Sequence, residues 1–362
     1  MSIDVAFAHR YGDFALDVAF EAPNTGITAL FGPSGAGKTT VVNALAGLIR
    51  PERGHIAVNG RILFDSSEGI WIPAHARRAG YVFQDGRLFP HLNVEANLRF
   101  GWRRAANALP EREVTRMIAM LDLQALLRRK PGRLSGGEKA RVAIGRALLA
   151  SPEFVLLDEP LAALDAARKQ EIFPYLERLR DEQRLPIVYV SHSLEEVARL
   201  ADTIVLLGAG RVLASGPLFD LLTDLQFGEL SGGSPYGTVL EARVARHLVE
   251  DGLSLLAFAG GELTVATLSR TEGSRVRIHI RAEDIILAQE RPQAISANNI
   301  LPATIVALRD STPQHVDVRL GCGKTHFVAR ITRASCKRLE LCEGQSVFAI
   351  VKSVTVTAAG NG

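Results

Sequence analysis

Up to about residue 225, short apolar runs alternate with amphipathic stretches. Ile27–Phe31, Tyr81–Phe83, Phe154–Leu157, Ile187–Val190 and Thr203–Leu207 read as buried strands. Helical spacing of apolar positions falls between them, at Thr39–Ile49, Pro110–Leu127, Glu138–Ala150, Asp165–Arg184 and Leu194–Leu200. Such alternation predicts an α/β domain with a mostly parallel sheet. The Gly/Ser/Pro cluster from Leu230 to Gly237 reads as a linker. Beyond it the pattern changes to short strands at Leu240–Ala245, Leu253–Phe258, Arg275–Ile280, Ala303–Leu308, Val316–Leu320, His326–Ile331 and Ser346–Val351. Strict alternation in Val316–Leu320 and glycine turns between strands predict a small β-barrel or sandwich. Three segments follow: 1–230, a linker and β-rich segment 231–291, and a β-domain 292–357.

Composition narrows the class. The chain has 362 residues, 42 Lys plus Arg and 39 Asp plus Glu, for a net charge of +3. That balance argues against an electrostatic nucleic-acid binder. Hydrophobic residues at 47% and charged residues at 22% fit a folded protein. The apolar runs are far shorter than the roughly 18 residues a membrane-spanning helix needs. Met1–Arg10 carries Asp4, His9 and Arg10 and lacks the apolar core of a signal peptide. Three cysteines, Cys322, Cys336 and Cys342, are too few and too oddly spaced for a disulfide framework or a zinc site.

The chemistry is concentrated in a few motifs. Gly32-Pro33-Ser34-Gly35-Ala36-Gly37-Lys38-Thr39 fits G-x-x-x-x-G-K-[ST], between a strand and a helix. Glycines let backbone N–H groups curl around a phosphate, and the helix N-terminus adds positive potential. Lys38 would bridge the outer phosphates, and the Thr39 hydroxyl would ligate Mg²⁺. Phe154-Val-Leu-Leu-Asp158-Glu159 is an apolar strand ending in two carboxylates, at the end where such sheets bind ligands. Asp158 would hold Mg²⁺, and Glu159 could act as general base on water. Ser135 and Glu138, in Leu134-Ser135-Gly136-Gly137-Glu138, form an S-x-x-E capping box, and the Ser135 hydroxyl and glycine amides could present donors to a phosphate. Leu230-Ser-Gly-Gly233 repeats the tetrapeptide without the glutamate or a helix, and reads as linker.

With the L-S-G-G-E run lying between the phosphate loop and the Asp-Glu strand, the chain resembles the ATP-binding-cassette (ABC) ATPases. The resemblance implies an α/β P-loop NTPase domain followed by a small all-β, OB-like barrel. It implies that Gln84 is the Q-loop glutamine sensing Mg²⁺ and the attacking water. Asp165, in Leu161-Ala-Ala-Leu-Asp165, would be the D-loop aspartate, and alanine stands at 162 where the family usually has serine. His192 would be the switch histidine touching the γ-phosphate, and Tyr11 the aromatic stacking on adenine. Thr40 completes the ATP-binding loop. In this family two cassettes pair head to tail, so one set of motifs implies a homodimer in which each ATP meets the partner's Ser135.

The cassette resembles those of importers, and molybdate importers in particular, through Gly80-Tyr-Val-Phe-Gln-Asp-Gly-Arg-Leu-Phe-Pro-His-Leu-Asn-Val94, Asn59–Asp65, Ile72–Gln84, Gly136–Arg146 and Tyr189–Leu194. The resemblance implies two separate permease subunits, received in a groove with Leu88, Phe89 and Leu92. It also implies an external substrate-binding protein, no nucleic acid, and a place on the cytoplasmic face of the inner membrane. An importer for sulfate, tungstate, iron or a polyamine, and a non-transport molybdate sensor, share parts of this pattern. The tail, through Ser296-Ala-Asn-Asn-Ile-Leu301, Ile331–Ser335, Leu339–Val347 and Val351–Ser353, resembles a molybdate-binding Mop domain. That implies oxyanion contacts from Ser296, Thr332, Lys352 and Ser353, with two chains contributing. Asn298 stands where the family often has arginine, which removes a bidentate cation. The domain could equally be a dimerisation or regulatory module.

Overall fold

The computed structural model describes residues 2–105, 108–182, 185–230, 237–353 and 357–358. The described chain divides into two compact units, residues 1–193 with 200–215, and residues 194–199 with 216–362.

The first unit is built on an 11-stranded sheet. Its strands are β1 (Ser2–Tyr11), β2 (Phe14–Pro23), β3 (Gly26–Phe31), β4 (Arg53–Val58), β5 (Arg61–Asp65), β6 (Ile70–Trp71), β7 (Ala79–Val82), β8 (Phe154–Asp158), β9 (Pro186–Ser191), β10 (Thr203–Gly208) and β11 (Arg211–Pro217). They lie in the order β6-β5-β4-β1-β2-β11-β10-β3-β9-β8-β7. The half holding β10, β3, β9, β8 and β7 is parallel. The β6-β5-β4-β1-β2 half is antiparallel, so the sheet is mixed rather than mostly parallel. The reason lies in the pattern of burial. β8 and β9 are buried at every position, as central parallel strands are, whereas β2 buries alternate residues only. Its interleaved Asp17 and Glu21 disguise it as polar.

The helices up to residue 200 are α1 (Lys38–Ala46), α2 (Val94–Trp102), α3 (Glu111–Met120), α4 (Gly136–Leu149), α5 (Ala166–Glu182) and α6 (Leu194–Leu200). The predicted helix Pro110–Leu127 stops at Met120, with Asp122 in left-handed conformation and a 3-10 turn at Gln124–Leu126. The predicted end of the Asp165–Arg184 helix at Arg184 lies outside the described residues, as does most of the predicted linker and repeated tetrapeptide.

In the second unit α7 (Leu218–Leu222) and α8 (Leu225–Leu230) precede two five-stranded antiparallel sheets. The first has β12 (Gly237–Leu248), β13 (Leu253–Phe258), β14 (Gly261–Ala266), β15 (Arg275–Arg281) and, at its far edge, β21 (Thr357–Ala358). The second orders β16 (Ile285–Ala288), β20 (Ser346–Val351), β17 (Asn299–Asp310), β18 (His315–Cys322) and β19 (Thr325–Thr332), with α9 (Arg333–Arg338) after β19, and forms the half-barrel of an OB-like fold. One apolar core runs through both sheets, joining Leu240, Leu256 and Ile278 of the first to Ile305, Val318, Phe327 and Val347 of the second. Residues 237–281 and 285–351 thus share their buried surface.

Candidate nucleotide site

The phosphate loop takes its shape from three glycines in left-handed or otherwise glycine-favouring backbone, Gly32 (φ 150°), Gly35 (φ 80°) and Gly37 (φ 102°). At Gly32 a Cβ would lie 2.1 Å from the Leu207 carbonyl oxygen, so neighbouring β10 leaves room for no side chain. Gly37 starts α1, placing Lys38 and Thr39 in its first turn. The Lys38 ammonium is buried inside the curl and donates to the carbonyls of Gly32 (2.7 Å) and Pro33 (2.9 Å). Burial lowers its pKa from the usual lysine value, and the Glu159 and Asp158 carboxylates oppose that shift.

Asp158 ends β8 on the same side. Its carboxylate accepts from Thr39 Oγ1 (3.3 Å) and lies 3.2 Å from the Tyr81 hydroxyl, which is also 2.9 Å from Asn43 Oδ1. Burial raises the Asp158 pKa, while the Tyr81 and Thr39 hydrogen bonds pull it down. The next residue, Glu159, has φ of 46°, a conformation a side chain adopts only at a cost. Its N–H bonds the Val190 carbonyl (3.2 Å), and its Oε2 stands 3.3 Å from His192 Nδ1. A cleft of about 390 Å³ is lined by Tyr11, Phe14, Ser34, Gly35, Gly37, Lys38, Thr39, Thr40 and Glu159. Tyr11 is 68% exposed at its mouth, with a face free to stack on a base. Thr39 and Asp158 offer only oxygen ligands, which suits a hard divalent cation such as Mg²⁺.

Other predicted residues sit apart from this cleft. Gln84 is exposed in the turn after β7. Ser135 caps α4 in a full capping box, its Oγ accepting from Glu138 N (3.2 Å) and its N–H donating to Glu138 Oε2 (2.7 Å). A Cβ at Gly136 would approach Leu164 to 2.7 Å, so the start of α4 packs tightly against the Leu161–Asp165 loop. Gly137 is packed against Ile172 of α5, and Leu134 is buried. Asp165 accepts from the Arg168 N–H (2.9 Å) at the start of α5. None of these lines the cleft.

Leu88, Phe89 and Leu92 are half-buried. Sequence reasoning passed over Asn97, which is fully buried on α2 and binds this segment by accepting from Phe89 N (2.8 Å) and donating to the carbonyls of Phe89, Leu92 and Asn93. It also passed over Asn43 and Tyr81, whose signal is visible only afterwards: polar groups on apolar helix and strand faces that meet at a buried carboxylate.

In the second unit the four predicted oxyanion residues do not converge within one chain. Ser353 is buried and accepts from Asn298 Nδ2 (3.2 Å), beside the start of β17. Ser296 and Lys352 are exposed. Thr332 caps α9, accepting from Ser335 N (3.1 Å), and pairs in register with His315, next to the opposite end of twelve-residue β17.

Among known proteins, a family model described as ABC transporter matches residues 16–162, and one described as TOBE domain matches residues 295–358. The molybdenum import ATP-binding protein ModC of Mesorhizobium japonicum is 50% identical over 365 residues, covering 100% of this chain and 98% of that protein. Its counterpart in Paramagnetospirillum magneticum is 47% identical, covering 98% of this chain and 97% of that protein. Among solved structures, the post-hydrolysis dimer of the ATP-binding cassette MJ0796 bound to ADP and Pi aligns at TM-score 0.50 and 26% identity, covering 60% of this chain and 98% of that one. CbiO1 of Clostridium perfringens aligns at TM-score 0.53 and 27% identity, covering 61% and 90%. The phosphate loop, the Asp158-Glu159 strand end, the TOBE segment and full-length relatives at this identity place the chain in the ATP-binding-cassette transporter family, as an ATP-binding protein of the molybdenum import type.

Proposed function

We propose that this chain is the ATP-hydrolysing subunit of an importer that takes up molybdate. The observation that carries the reading is the grouping of Lys38, Thr39 and Glu159 along one cleft, with Asp158 bonded to Thr39 and His192 set against Glu159, in a chain that runs the full length of its molybdenum-import relatives.

Tyr11 stacks on the adenine, and the loop from Gly32 to Thr40 encloses the phosphates with backbone N–H groups. Thr39 and Asp158 would hold Mg²⁺, with Gln84 brought to it from the turn after β7, and the ion would offset charge on the phosphate oxygens. Lys38 leaves its loop carbonyls to meet the outer phosphates. Glu159 takes a proton from a water whose oxygen attacks the γ-phosphorus in line, as the bond to the bridging oxygen breaks and ADP leaves. His192, positioned against Glu159, donates to the γ-phosphate. Ser135 with Gly136, Gly137 and the rest of the Leu134–Glu138 run faces the γ-phosphate of a second copy, and Asp165 lies at the same dimer seam. That Ser135 stands outside its own chain's cleft supports this trans arrangement.

Residues 1–230 form the cassette, 231–291 the joining β-rich segment and 292–357 the regulatory TOBE-like domain. Two permease subunits dock on the Leu88–Leu92 segment at the cytoplasmic face of the inner membrane, and an external binding protein delivers the ion. No described helix is long and apolar enough to cross a membrane, which is in keeping with a pathway supplied by other chains. Molybdate held by Ser296, Thr332, Lys352 and Ser353 would bridge two chains, since these residues are apart in one.

The test is a reconstituted complex of this chain, its permease and a binding protein. Vanadate-sensitive ATPase activity should rise with molybdate-loaded binding protein. Stimulation by sulfate- or iron-loaded protein instead would move the assignment to another solute. Glu159→Gln should abolish turnover and trap an ATP-bound dimer, and wild-type rates in that variant would remove Glu159 from the mechanism.

A further inference from the structure

Arg77 is the largest fully buried side chain of the described residues, at 0% exposure. It has no carboxylate partner among them. Its guanidinium instead donates to four backbone carbonyls: Nη1 to Ala44 (2.6 Å) and Leu45 (3.0 Å), Nε to Ile72 (2.7 Å), and Nη2 to Leu63 (3.4 Å). The plane lies over the Trp71 ring, 4.5 Å from its centroid. Burying an unpaired cation is costly unless every donor is satisfied. Desolvation lowers its pKa only to about 10, so it stays charged at neutral pH.

What it grips is informative. Ala44 and Leu45 lie in the last turn of α1, the helix whose first turn carries Lys38 and Thr39. Carbonyls there form the negative end of the helix dipole, and a cation stabilises them. Leu63 lies in β5 and Ile72 directly follows β6, in the antiparallel half of the sheet. Gly47 ends the helix at φ 77°, and a Cβ there would sit 2.5 Å from Arg77 Nε, so the backbone is shaped around the guanidinium. Four residues on, Tyr81 meets Asn43 of the same helix. The 77–81 segment therefore holds α1 at its end and its middle, while Thr39–Asp158 holds its start.

We propose that Arg77 is a positioning residue for the phosphate loop: it fixes the far end of α1 against the antiparallel half of the sheet and so sets where Lys38 and Thr39 stand relative to Asp158. This rests on the reading of the cleft as the ATP-hydrolysing site. Arg77 acts through α1 and touches neither nucleotide nor metal.

The test compares wild type, Arg77→Lys and Arg77→Met in full-length chain, at a temperature where circular dichroism shows all three folded. Fluorescent-nucleotide binding and kcat/KM for MgATP are read out together. A shift of α1 of order 1 Å should cost Arg77→Met about a hundredfold in kcat/KM. Arg77→Lys should fall between, since an ammonium keeps the helix-end charge but cannot span all four carbonyls. Phe173→Leu, a core change on α5, serves as a control for general destabilisation and should keep wild-type kcat/KM. If Arg77→Met fails to fold, Gly47→Ala replaces it, pushing the guanidinium off its carbonyls, and should lower kcat/KM in the same direction. An active wild type with unchanged kcat/KM in the folded variants would overturn the inference alone. A wild type without ATPase activity would overturn the reading of the site and this inference with it.

Discussion

The Tyr81 hydroxyl offers a clean perturbation of Asp158, the aspartate proposed to hold Mg²⁺. Its single proton faces two acceptors, Asn43 Oδ1 at 2.9 Å and Asp158 Oδ2 at 3.2 Å. Tyr81→Phe removes the oxygen while keeping the ring, which stacks on Phe83 with centroids 3.9 Å apart. A hydrogen bond to a charged group contributes about 1.5–3 kcal/mol, and sharing between two acceptors favours the lower figure. About 1.5 kcal/mol is close to a factor of ten in an equilibrium or rate constant. The direction follows from the aspartate. Burial already raises its pKa, and the Tyr81 bond is among the contacts that stabilise the ionised form. Losing it raises the pKa further, so a larger share of Asp158 is protonated at a given acidic pH and unable to hold Mg²⁺. MgATPase activity, titrated with Mg²⁺ at a series of pH values, should therefore show a half-saturating Mg²⁺ concentration that rises on the acid side, by up to about tenfold where Asp158 is mostly protonated, and matches wild type where it is ionised. The acid limb of the profile should also move to higher pH. If both stay where wild type puts them, Tyr81 is a packing residue and the electrostatic argument fails.

Four further outcomes are expected. Gly32→Ala should destroy nucleotide binding, measured with a fluorescent ATP analogue, because its Cβ would lie 2.1 Å from the Leu207 carbonyl oxygen. Ser135→Ala should cost only about 1 kcal/mol in thermal stability as a lost cap. Its ATPase activity should collapse much further if the hydroxyl serves a second copy's nucleotide, and equal small losses in both would count against the trans site. Asp317→Ala should destabilise the second unit by about 3–5 kcal/mol in urea unfolding, since buried Asp317 binds Arg330 at 2.8 and 3.1 Å and removing one partner of a buried ion pair costs that much. His279 is held by burial at a pKa of about 4 against 6.5 unfolded, so its neutral form stabilises the fold above 6.5 and that contribution fades as pH falls towards 4. The window amounts to about 3 kcal/mol, and His279→Leu should flatten the dependence of unfolding free energy on pH across it.

The parts of the molecule legible in the sequence are those whose signal is local. The buried apolar runs of β8 and β9 announce themselves, and the glycine spacing around Lys38 encodes a backbone path that other residues cannot follow. The capping box at Ser135 is likewise written within four residues, and the bonds form as the pattern requires. Contacts across long separations were not legible. Nothing near Arg77 marks it as destined for the end of a helix more than thirty residues earlier, and Tyr81 reads as one aromatic in an apolar strand. The antiparallel β1 and β2 were missed because one exposed face sets Asp4, Asp17 and Glu21 among their apolar positions. In the tail the strands were readable one by one, but their pairing was not. Alternation gives a strand's faces without giving its neighbour, so it could not tell that Thr332 and Ser353 would lie at different ends of β17.

The core that unites the two β-sheets of the second unit decides where this protein could be cut or grafted. The TOBE match begins at residue 295, inviting a boundary there. A fragment starting at that point would leave Ile305, Val318, Phe327 and Val347 bare where Leu240, Leu256 and Ile278 now cover them. Thr357 and Ala358 pair with β15, so the last described strand would also lose the neighbour it has in that sheet. A chimera meant to carry this β-unit onto another cassette therefore has to begin no later than Gly237, and its smallest transferable piece is about twice the length that the family boundary suggests.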